Sequence, residues 1–255
     1  MKLTFLGTGT SQGVPVIGCT CEVCTSINPK DHRLRTSAMI EVDGLNLVVD
    51  SGPDFRQQML RQKVDRVDAI LFTHEHKDHV AGLDDVRPFN FKYKRDMPIY
   101  CTKRVHESLK REYMYIFDDQ FSYPGIPKIK TNLIENKPFI IQDVQITPVE
   151  VWHHKLPVFG YRIGDVAYIT DANRIEPSEK EKLRGLKVLV INALRKEQHI
   201  SHFTLAEAIE LGQELEAEHV YFTHISHLLG KHEQIAEELP SNMELAYDGL
   251  SVIIR

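Results

Sequence analysis

Short runs of β-branched and aromatic residues recur along the whole chain and are bounded by Gly, Pro, Asn or Asp, a pattern typical of β-strands. They predict strands over residues 3–6, 38–42, 45–49, 68–72, 139–141, 144–151, 161–163, 166–170, 188–193, 244–247 and 250–254. Two-residue turns such as Asp43–Gly44 and Asp248–Gly249 separate several neighbouring runs, which indicates hairpins.

Apolar residues at helical spacing lie between these strands and predict helices over residues 55–62, 105–115, 176–183, 205–215 and 233–239. We expect Thr204 to cap the fourth helix, with Glu207 completing a capping box. Residues 118–138 are rich in Pro, Gly, Lys and Asn and are predicted to form an irregular loop over a functional site. Strands in both halves, with helices between them, favour two sheets packed face to face with helices outside.

The composition agrees with a soluble enzyme that can bury a sizeable core. The 255 residues are 42% apolar and 26% charged, with a net charge of -5, and we expect one domain over residues 1–255. The lack of a long Lys or Arg run argues against extended nucleic acid as a partner and favours a small substrate. No sequence run approaches the roughly 18 to 20 apolar residues of a membrane span, and the N-terminal apolar stretch is short for a signal peptide. We therefore expect a cytoplasmic protein without a membrane partner.

The segment T-H-E-H-K-D-H follows the predicted strand 68–72 and concentrates four metal-binding side chains, His74, His76, Asp78 and His79. Alternate side chains of an extended stretch share a face, so His74 and His76 can reach one ion together. Asp78 and His79 follow as the chain turns and can face a second ion. Imidazole and carboxylate suit zinc, manganese or iron, so the ligand types leave the metal open.

Three of the four cysteines lie in C-T-C-E-V-C, as Cys19, Cys21 and Cys24, whereas Cys101 stands alone and is expected to be buried. In a reducing compartment such a cluster favours a thiolate metal site over disulfides. It lacks a fourth ligand, which any histidine brought near by the fold could supply.

Further candidate ligands stand at the ends of later apolar runs. His153 and His154 follow T-P-V-E-V-W, Asp171 ends A-Y-I-T-D, and His224 ends V-Y-F-T-H, with His227 three residues on. Taken singly, each also suits a turn or a surface position. Together they predict one rim of a sheet where loops converge on a metal centre.

Five motifs spread over the chain carry a family resemblance: L-G-T-G-T-S-Q-G-V-P, G-C-T-C-E-V-C, K-L-P-V-F-G-Y, T-H-I-S-H and Y-D-G. With the histidine motif, they resemble the metallo-β-lactamase-fold hydrolases, and among these the cyclic phosphodiesterases of bacterial phosphonate breakdown, which act on phosphoribosyl 1,2-cyclic phosphate. The resemblance implies an α/β fold, a four-layer αββα sandwich of two mixed sheets with helices outside. It also implies a phosphodiesterase that hydrolyses a small, cyclic diester.

The resemblance further implies two divalent ions, zinc or manganese. One would be held by His74, His76 and His153 and the other by Asp78, His79 and His224, with Asp171 bridging them. Asp78 would be catalytic as well as a ligand, and a hydroxide bridging the ions would attack phosphorus. His153 is preferred to His154 because the K-L-P segment then follows at the family's usual distance.

A separate structural zinc is implied at Cys19, Cys21, Cys24 and His227. Asp50, in V-V-D-S-G, would orient the metal loop from behind the ligands. His202, in I-S-H-F-T-L, would stand near the departing group and donate a proton to it. The resemblance also implies a homodimer.

Other functions stay open. A transfer-RNA 3′-processing nuclease shares the L-G-T-G start but usually carries a basic arm, for which the sequence offers no candidate. A hydrolase like those of the pyrroloquinoline quinone pathway shares the cysteine cluster. The complete ligand set disfavours a non-catalytic metal-binding module, an Asp at position 171 disfavours a lactamase, and the cysteine cluster disfavours a glyoxalase-like thioesterase.

Overall fold

The computed structural model describes residues 1–118, 120 and 123–255, which form two β-sheets flanked by helices. The first sheet contains β1 (Lys2–Gly7), β2 (Ser37–Val42), β3 (Leu45–Val49), β4 (Ala69–Leu71), β5 (Met97–Cys101), β6 (Ile129–Leu133) and β15 (Ser251–Ile253). Its order is β15-β1-β2-β3-β4-β5-β6, antiparallel from β15 to β3 and parallel from β3 to β6. The first and last strands of the chain are therefore neighbours.

The second sheet contains β7 (Phe139–Ile141), β8 (Val144–His153), β9 (Leu156–Ile163), β10 (Val166–Tyr168), β11 (Arg174–Ile175), β12 (Val188–Asn192), β13 (His219–Thr223) and β14 (Met243–Leu245). Its order is β11-β8-β9-β10-β12-β13-β14, and β7 also pairs with β8. β8 and β9 form a long hairpin that ends with His153 opposite Leu156. β10, β12, β13 and β14 are parallel, so their carboxyl ends meet at one edge.

The helices are α1 (Phe55–Arg61), α2 (Lys77–Val80), α3 (Arg87–Tyr93), α4 (Lys103–Glu112), α5 (Met114–Phe117), α6 (Pro177–Lys180), α7 (Leu205–Leu215) and α8 (His232–Ala236). The predicted capping box at the start of α7 is confirmed, since Thr204 Oγ1 accepts from Glu207 N–H at 3.2 Å while the Glu207 carboxylate accepts from Thr204 N–H at 2.8 Å. The helix predicted over residues 105–115 is instead two helices, because the backbone of Tyr113 leaves the helical region between α4 and α5. The helix predicted over 176–183 ends in a 3-10 turn.

Apolar cores separate these elements into layers. One core lies between the two sheets, where Leu47 and Tyr161 are fully buried. Another joins the first sheet to α1, α3 and α4, and a third joins the second sheet to α7 and α8. The expected four-layer αββα sandwich is therefore confirmed. Within the described ranges, none of the helices combines the length and the apolarity that crossing a membrane requires.

The hairpin predicted at residues 244–254 is wrong. β14 pairs with β13 in the second sheet, whereas β15 pairs with β1 in the first sheet. The turn between them crosses from one sheet to the other, because the Asp248 carboxylate accepts from the backbone N–H groups of Thr8 and Leu34 at 2.9 and 2.8 Å. These long-range contacts outweigh the local hairpin preference of Asp248–Gly249.

The irregular loop predicted over residues 118–138 contains strand β6, which pairs in parallel with β5. Residues 119, 121 and 122 of that stretch lie outside the described residues. Residues 123–129 line a cavity of about 720 Å³ beside α3, together with Asn90 and Lys94. The described walls of this cavity contain none of the candidate metal ligands, so residues 123–129 line a cavity other than the one expected at a functional site.

Candidate metal centre

The candidate metal centre lies where strands of both sheets end. On the first sheet, β4 leads into Thr73 and His74, and the first turn of α2 carries Asp78 and His79. On the second sheet, three residues stand at or just beyond the ends of β8, β10 and β13, namely His153, Asp171 and His224. The fold brings the seven predicted ligands into two overlapping groups: His74, His76, His153 and Asp171, and Asp78, His79, Asp171 and His224.

In the first group, His74 Nε2 lies 2.9 Å from His76 Nδ1 and 3.9 Å from Asp171 Oδ2. His153 Nδ1 lies 2.9 Å from the carbonyl oxygen of Ser201, to which it donates, and this leaves Nε2 as the ligand atom. His154 is exposed in the following turn, where its backbone N–H donates to Asn173 Oδ1. The structure thus places His153, and not His154, beside the other histidines.

In the second group, His79 Nε2 lies 3.2 Å from Asp78 Oδ2 and 3.3 Å from Asp171 Oδ1. His224 Nδ1 lies 3.1 Å from the same Asp171 oxygen. Asp171 therefore directs Oδ2 towards the first group and Oδ1 towards the second. A carboxylate in this position can bridge two cations.

Asp50 stands behind both groups, fully buried at the end of β3. Its Oδ2 accepts from His79 Nδ1 at 2.6 Å and from the hydroxyl of Thr73 at 2.8 Å. The Thr73 hydroxyl oxygen in turn lies 2.9 Å from His74 Nδ1 and can accept its proton. Asp50 thus orients His79 directly and His74 through Thr73, which leaves Nε2 of both rings for a metal.

Three residues of the centre adopt the left-handed backbone region that residues other than Gly rarely enter. Asp50, Asp171 and His224 have φ values of 62°, 53° and 55°. Such conformations cost on the order of 1 kcal/mol each and persist where the surrounding structure imposes them. Each of these residues directly follows a strand or its short extension, so the turn aims its side chain into the centre.

The charges of the second group stabilise one another. Burial opposes the charge on His79, but the carboxylates of Asp171 and Asp78 outweigh it and raise the pKa of that imidazole well above its ordinary value. Burial likewise opposes the charge on Asp171, but His224 and His79 outweigh it and lower the pKa of the carboxyl well below its usual range. In the first group burial dominates and lowers the pKa of His74, which favours the neutral imidazole that binds metals.

The donor set fits divalent cations. Within each group, one nitrogen or oxygen atom per residue lies within 4.8 Å of the others, and ligands about 2.0–2.2 Å from a shared ion stand roughly 3–4 Å apart. His79 Nε2 is buried and has no hydrogen-bond partner among the residues described, although two carboxylate oxygens are close to it. A cation between these atoms would satisfy all of them.

His202 borders both groups. Its ring centroid lies 4.7 Å from that of His153 and 4.8 Å from that of His224, and its Nδ1 has no hydrogen-bond partner in the described part of the chain. Burial, followed by the charge on His224, lowers the pKa of His202 to about 3. Beside it opens a cavity of about 500 Å³ whose walls include Asn173 and His199.

The cysteine cluster forms a separate site. Sγ atoms of Cys19 and Cys21 lie 3.4 and 3.3 Å from His227 Nδ1, and Cys24 belongs to the same group. The backbone N–H of Cys24 and the His227 ring lower the pKa of Cys21 to about 6, whereas burial raises the pKa of Cys24 to about 11. Three sulfurs and one imidazole are a donor set that suits a structural zinc ion. The fourth ligand that the cysteine spacing lacks is thus in place.

Sequence reasoning missed the residues that orient the ligands, Thr73 and Ser201. Thr73 directly precedes the first histidine of T-H-E-H, and a buried strand end followed by a ligand is the one signal that points to it. Ser201 acts through its backbone carbonyl, which no side-chain pattern can reveal.

A family profile described as the Beta-lactamase superfamily domain matches residues 45–225 of this chain. The crystal structure of a diphosphatase from the PhnP family is 40% identical, covers 100% of this chain and 98% of its own, and superposes with a TM-score of 0.93. A protein of Porphyromonas gingivalis named octanoyltransferase is 40% identical over 258 residues, but the chain spans only 52% of its length. Zinc-bound PqqB from Methylobacterium extorquens shares the fold, with 20% identity and a TM-score of 0.80 over 100% of both chains.

The profile match covers more than half of the chain, and the identity with the PhnP-family structure extends over nearly all of both proteins. Both lead to the same family as the histidine motif. The chain belongs to the β-lactamase superfamily, has the metallo-β-lactamase fold, and is a member of the PhnP family.

Proposed function

We propose that the protein is a metal-dependent phosphodiesterase that hydrolyses a small, cyclic phosphodiester. The observation that carries this proposal is the pair of four-residue ligand groups that share Asp171. One cation, zinc or manganese, would be held by His74, His76 and His153, and a second by Asp78, His79 and His224. Cations held there supply Lewis acidity to a phosphoryl oxygen and lower the pKa of a water molecule towards about 7.

The protein's own residues divide the remaining work. Asp78 is the candidate acceptor for the proton of the attacking water, because its side chain is 12% exposed whereas that of Asp171 is 3% exposed. His202 lies against both ligand groups and is the candidate donor to the oxygen that departs from phosphorus. This role requires the negative charge of a bound phosphate to raise the His202 pKa from the value of about 3 that burial gives it. Asp50 and Thr73 hold the ligand rings in place throughout.

The cavity beside His202 supports a small substrate. Its volume of about 500 Å³ lies within the range of small-molecule pockets, and its described walls consist of Asn173, Gln198, His199, Ile200, His202 and Glu207. No Lys or Arg is among these described lining residues, so a second phosphate of the substrate would meet no lysine or arginine side chain in this cavity. The same feature, together with the net charge of -5, argues against extended nucleic acid.

Hydrolysis of a diphosphate bond is the second candidate. The 40% identical PhnP-family structure is named a diphosphatase, and the same ligand groups would serve attack on a phosphoric anhydride. The name octanoyltransferase belongs to a protein about twice as long, and the half that this chain does not match can account for that name. We do not extend acyl transfer to this chain.

Several expectations from the sequence stay predictions: a single domain over residues 1–255, a cytoplasmic location, a homodimer, and a structural zinc at the cysteine cluster. Of the alternative functions, a transfer-RNA nuclease predicts preferential cleavage of RNA in one substrate panel. A hydrolase like those of the pyrroloquinoline quinone pathway and a non-catalytic module both predict that none of its substrates is cleaved.

That panel tests the proposal. Protein stripped with a chelator and reloaded with zinc or manganese is assayed on bis(p-nitrophenyl) phosphate, a ribose cyclic phosphate, ADP and a short RNA. We expect metal-dependent hydrolysis of the two diesters and loss of it in His74→Ala. Preferential cleavage of ADP would favour the diphosphatase, and preferential cleavage of RNA the nuclease. A protein that binds its metals and hydrolyses none of the four would overturn the proposal.

A further inference from the structure

The cysteine cluster and the candidate metal centre are joined by one short segment, T-H-I-S-H. His224 belongs to the second ligand group, and His227, three residues on, contacts the cysteine sulfurs. Only Ile225 and Ser226 separate the two side chains. The two sites are therefore joined by a connection of two residues.

The cysteines lie in the loop between β1 and β2, residues 8–36, and this loop also contacts the T-H-I-S-H segment through backbone hydrogen bonds. The N–H of Ile225 donates to the carbonyl oxygen of Thr8 at 2.8 Å, and the carbonyl of Ile225 accepts from the N–H of Thr10 at 3.2 Å. Cys19 and Cys21 then fasten the far part of the same loop to His227. The loop and the segment thus form one connected unit, which is held by the backbone hydrogen bonds of Ile225 at one end and by the cysteine cluster at the other.

His224 depends on such a unit more than an ordinary strand-end residue does. Its φ of 55° lies in the left-handed region, which surrounding contacts must maintain. Its Nδ1 lies 3.1 Å from Asp171 Oδ1 in that conformation. If the contacts between His227 and the cysteines are lost, relaxation of the backbone would move this nitrogen away from the second ligand group.

The base of the loop is anchored independently of the cysteines. Arg33 is buried, and its guanidinium donates to Thr8 Oγ1 at 2.9 Å and to the carbonyl oxygen of Ala246 at 2.6 Å. Asp248 accepts from both the backbone N–H and the hydroxyl of Thr8. Loss of the contacts between His227 and the cysteines should therefore leave the two-sheet sandwich folded and change only the conformation of the T-H-I-S-H segment.

We propose that the cluster of Cys19, Cys21, Cys24 and His227 positions His224, and that it tunes the cation site of the second ligand group while leaving that of the first unchanged. The first group takes its histidines from residues 74, 76 and 153, which belong neither to the segment nor to the loop. The inference rests on the proposed metal centre but not on the phosphodiester substrate.

The test compares His227→Gln with His219→Gln, a matched change at an exposed position five residues before His224. Cobalt-loaded proteins are titrated with a competing chelator. The thiolate-to-cobalt charge-transfer band reports the ion at the cysteine cluster, and the total bound cobalt minus that ion reports the ions of the two ligand groups. In His227→Gln we expect the charge-transfer band to disappear at a lower chelator concentration than in the wild type. We also expect a 10- to 100-fold weaker affinity, of the order seen when ligand positioning is lost, for one of the two remaining ions only. His219→Gln should match the wild type, and His227→Cys, which restores four ligands, should recover both.

Equal weakening of both remaining ions would show a general loss of structure, and unchanged affinity for both would show no coupling; either result overturns the inference. If His227→Gln does not fold, p-hydroxymercuribenzoate can displace the metal from the thiolates of the folded wild type, since Cys101 is fully buried. The same asymmetry is then required. A wild type that holds metal only at the cysteine cluster would instead refute the proposed metal centre itself.

Discussion

The first sheet supplies its four candidate ligands from one stretch of chain, residues 74–79, whereas the second sheet supplies three from segments far apart in sequence: His153, Asp171 and His224. The first-sheet side is braced from behind by Asp50 and Thr73. Each residue of the second-sheet side depends on its own support, such as the Ser201 carbonyl for His153 and a left-handed backbone for the other two.

Neither ligand group is complete on one sheet. The first group needs His153 and Asp171 from the second sheet, and the second group needs Asp78 and His79 from the first. Both cation sites therefore exist only when the two sheets are packed face to face. Metal binding and formation of the sandwich should be coupled.

The largest effect is expected at the residue that joins the two groups. Asp171→Asn keeps the shape of the side chain but removes the charge that faces His74 on one side and His79 and His224 on the other. We expect both cations to bind more weakly and the hydrolysis rate to fall about 1000-fold or more, equivalent to several kcal/mol of lost electrostatic stabilisation. Metal content and kcat on bis(p-nitrophenyl) phosphate measure this.

Asp165→Asn is the matched control, because Asp165 lies in the hairpin turn before β10 and its side chain is 50% exposed. It should retain both metal and activity. If Asp171→Asn loses only one cation, Asp171 does not link the two groups.

The second largest effect is expected at His202 and distinguishes proton donation by this residue from metal binding by the ligands. His202→Ala should leave metal content unchanged, because His202 belongs to neither ligand group. We expect the rate to fall about 100-fold or more on a diester with an alkoxide leaving group, which needs a proton, and far less on bis(p-nitrophenyl) phosphate. His154→Ala, at an exposed neighbouring histidine, is the control. Equal losses on the two substrates would contradict proton donation by His202.

The contrast between the two sides also explains what the sequence could predict. The ligands His74, His76, Asp78 and His79 could be identified because they lie within six residues that follow a buried strand. The ends of apolar runs predicted that His153, Asp171 and His224 meet at one rim. Their assignment to particular ions came only from the family resemblance, since topology and not spacing decides which strand ends are neighbours. Thr73 and Ser201 act through a hydroxyl and a carbonyl that many positions offer. The closing hairpin was wrong because contacts of Asp248 with Thr8 and Leu34, over 200 residues away in sequence, decide which sheet each strand joins.

A smaller effect is expected when the hydrogen bonds that orient His74 are removed. Thr73→Val removes the hydroxyl between Asp50 and His74 but leaves the direct bond from His79 to Asp50. The ion held by the first group should therefore bind about tenfold more weakly, while the second group is spared. Asp50→Asn should weaken both. Chelator competition measures the two affinities, and an identical pattern in the two variants would show that Thr73 does not act on His74 alone.

The smallest effect concerns stability on the second-sheet side, where His232 Nδ1 lies 3.2 Å from Arg33 Nη2. Burial, followed by the charges of Arg33 and Lys30, lowers the pKa of His232 to about 4. The unfolded chain, with a His pKa of about 6.5, binds more protons between these values, so the neutral ring contributes stability above about pH 6.5 that is lost as the pH falls towards 4.

His232→Gln keeps an acceptor for Arg33 but does not titrate, so the metal-free variant should lose less stability between pH 7 and pH 5, by on the order of 1 kcal/mol because solvent screens part of the charge. Denaturant unfolding at the two pH values measures the difference, and His219→Gln, at an exposed site, should unfold with the pH dependence of the wild type. A variant whose stability still falls as steeply as the wild type would mean that His232 takes up its proton over the same pH range in the native protein as in the unfolded chain, and Arg33 would then have to anchor the loop beside a charged imidazole at about pH 5.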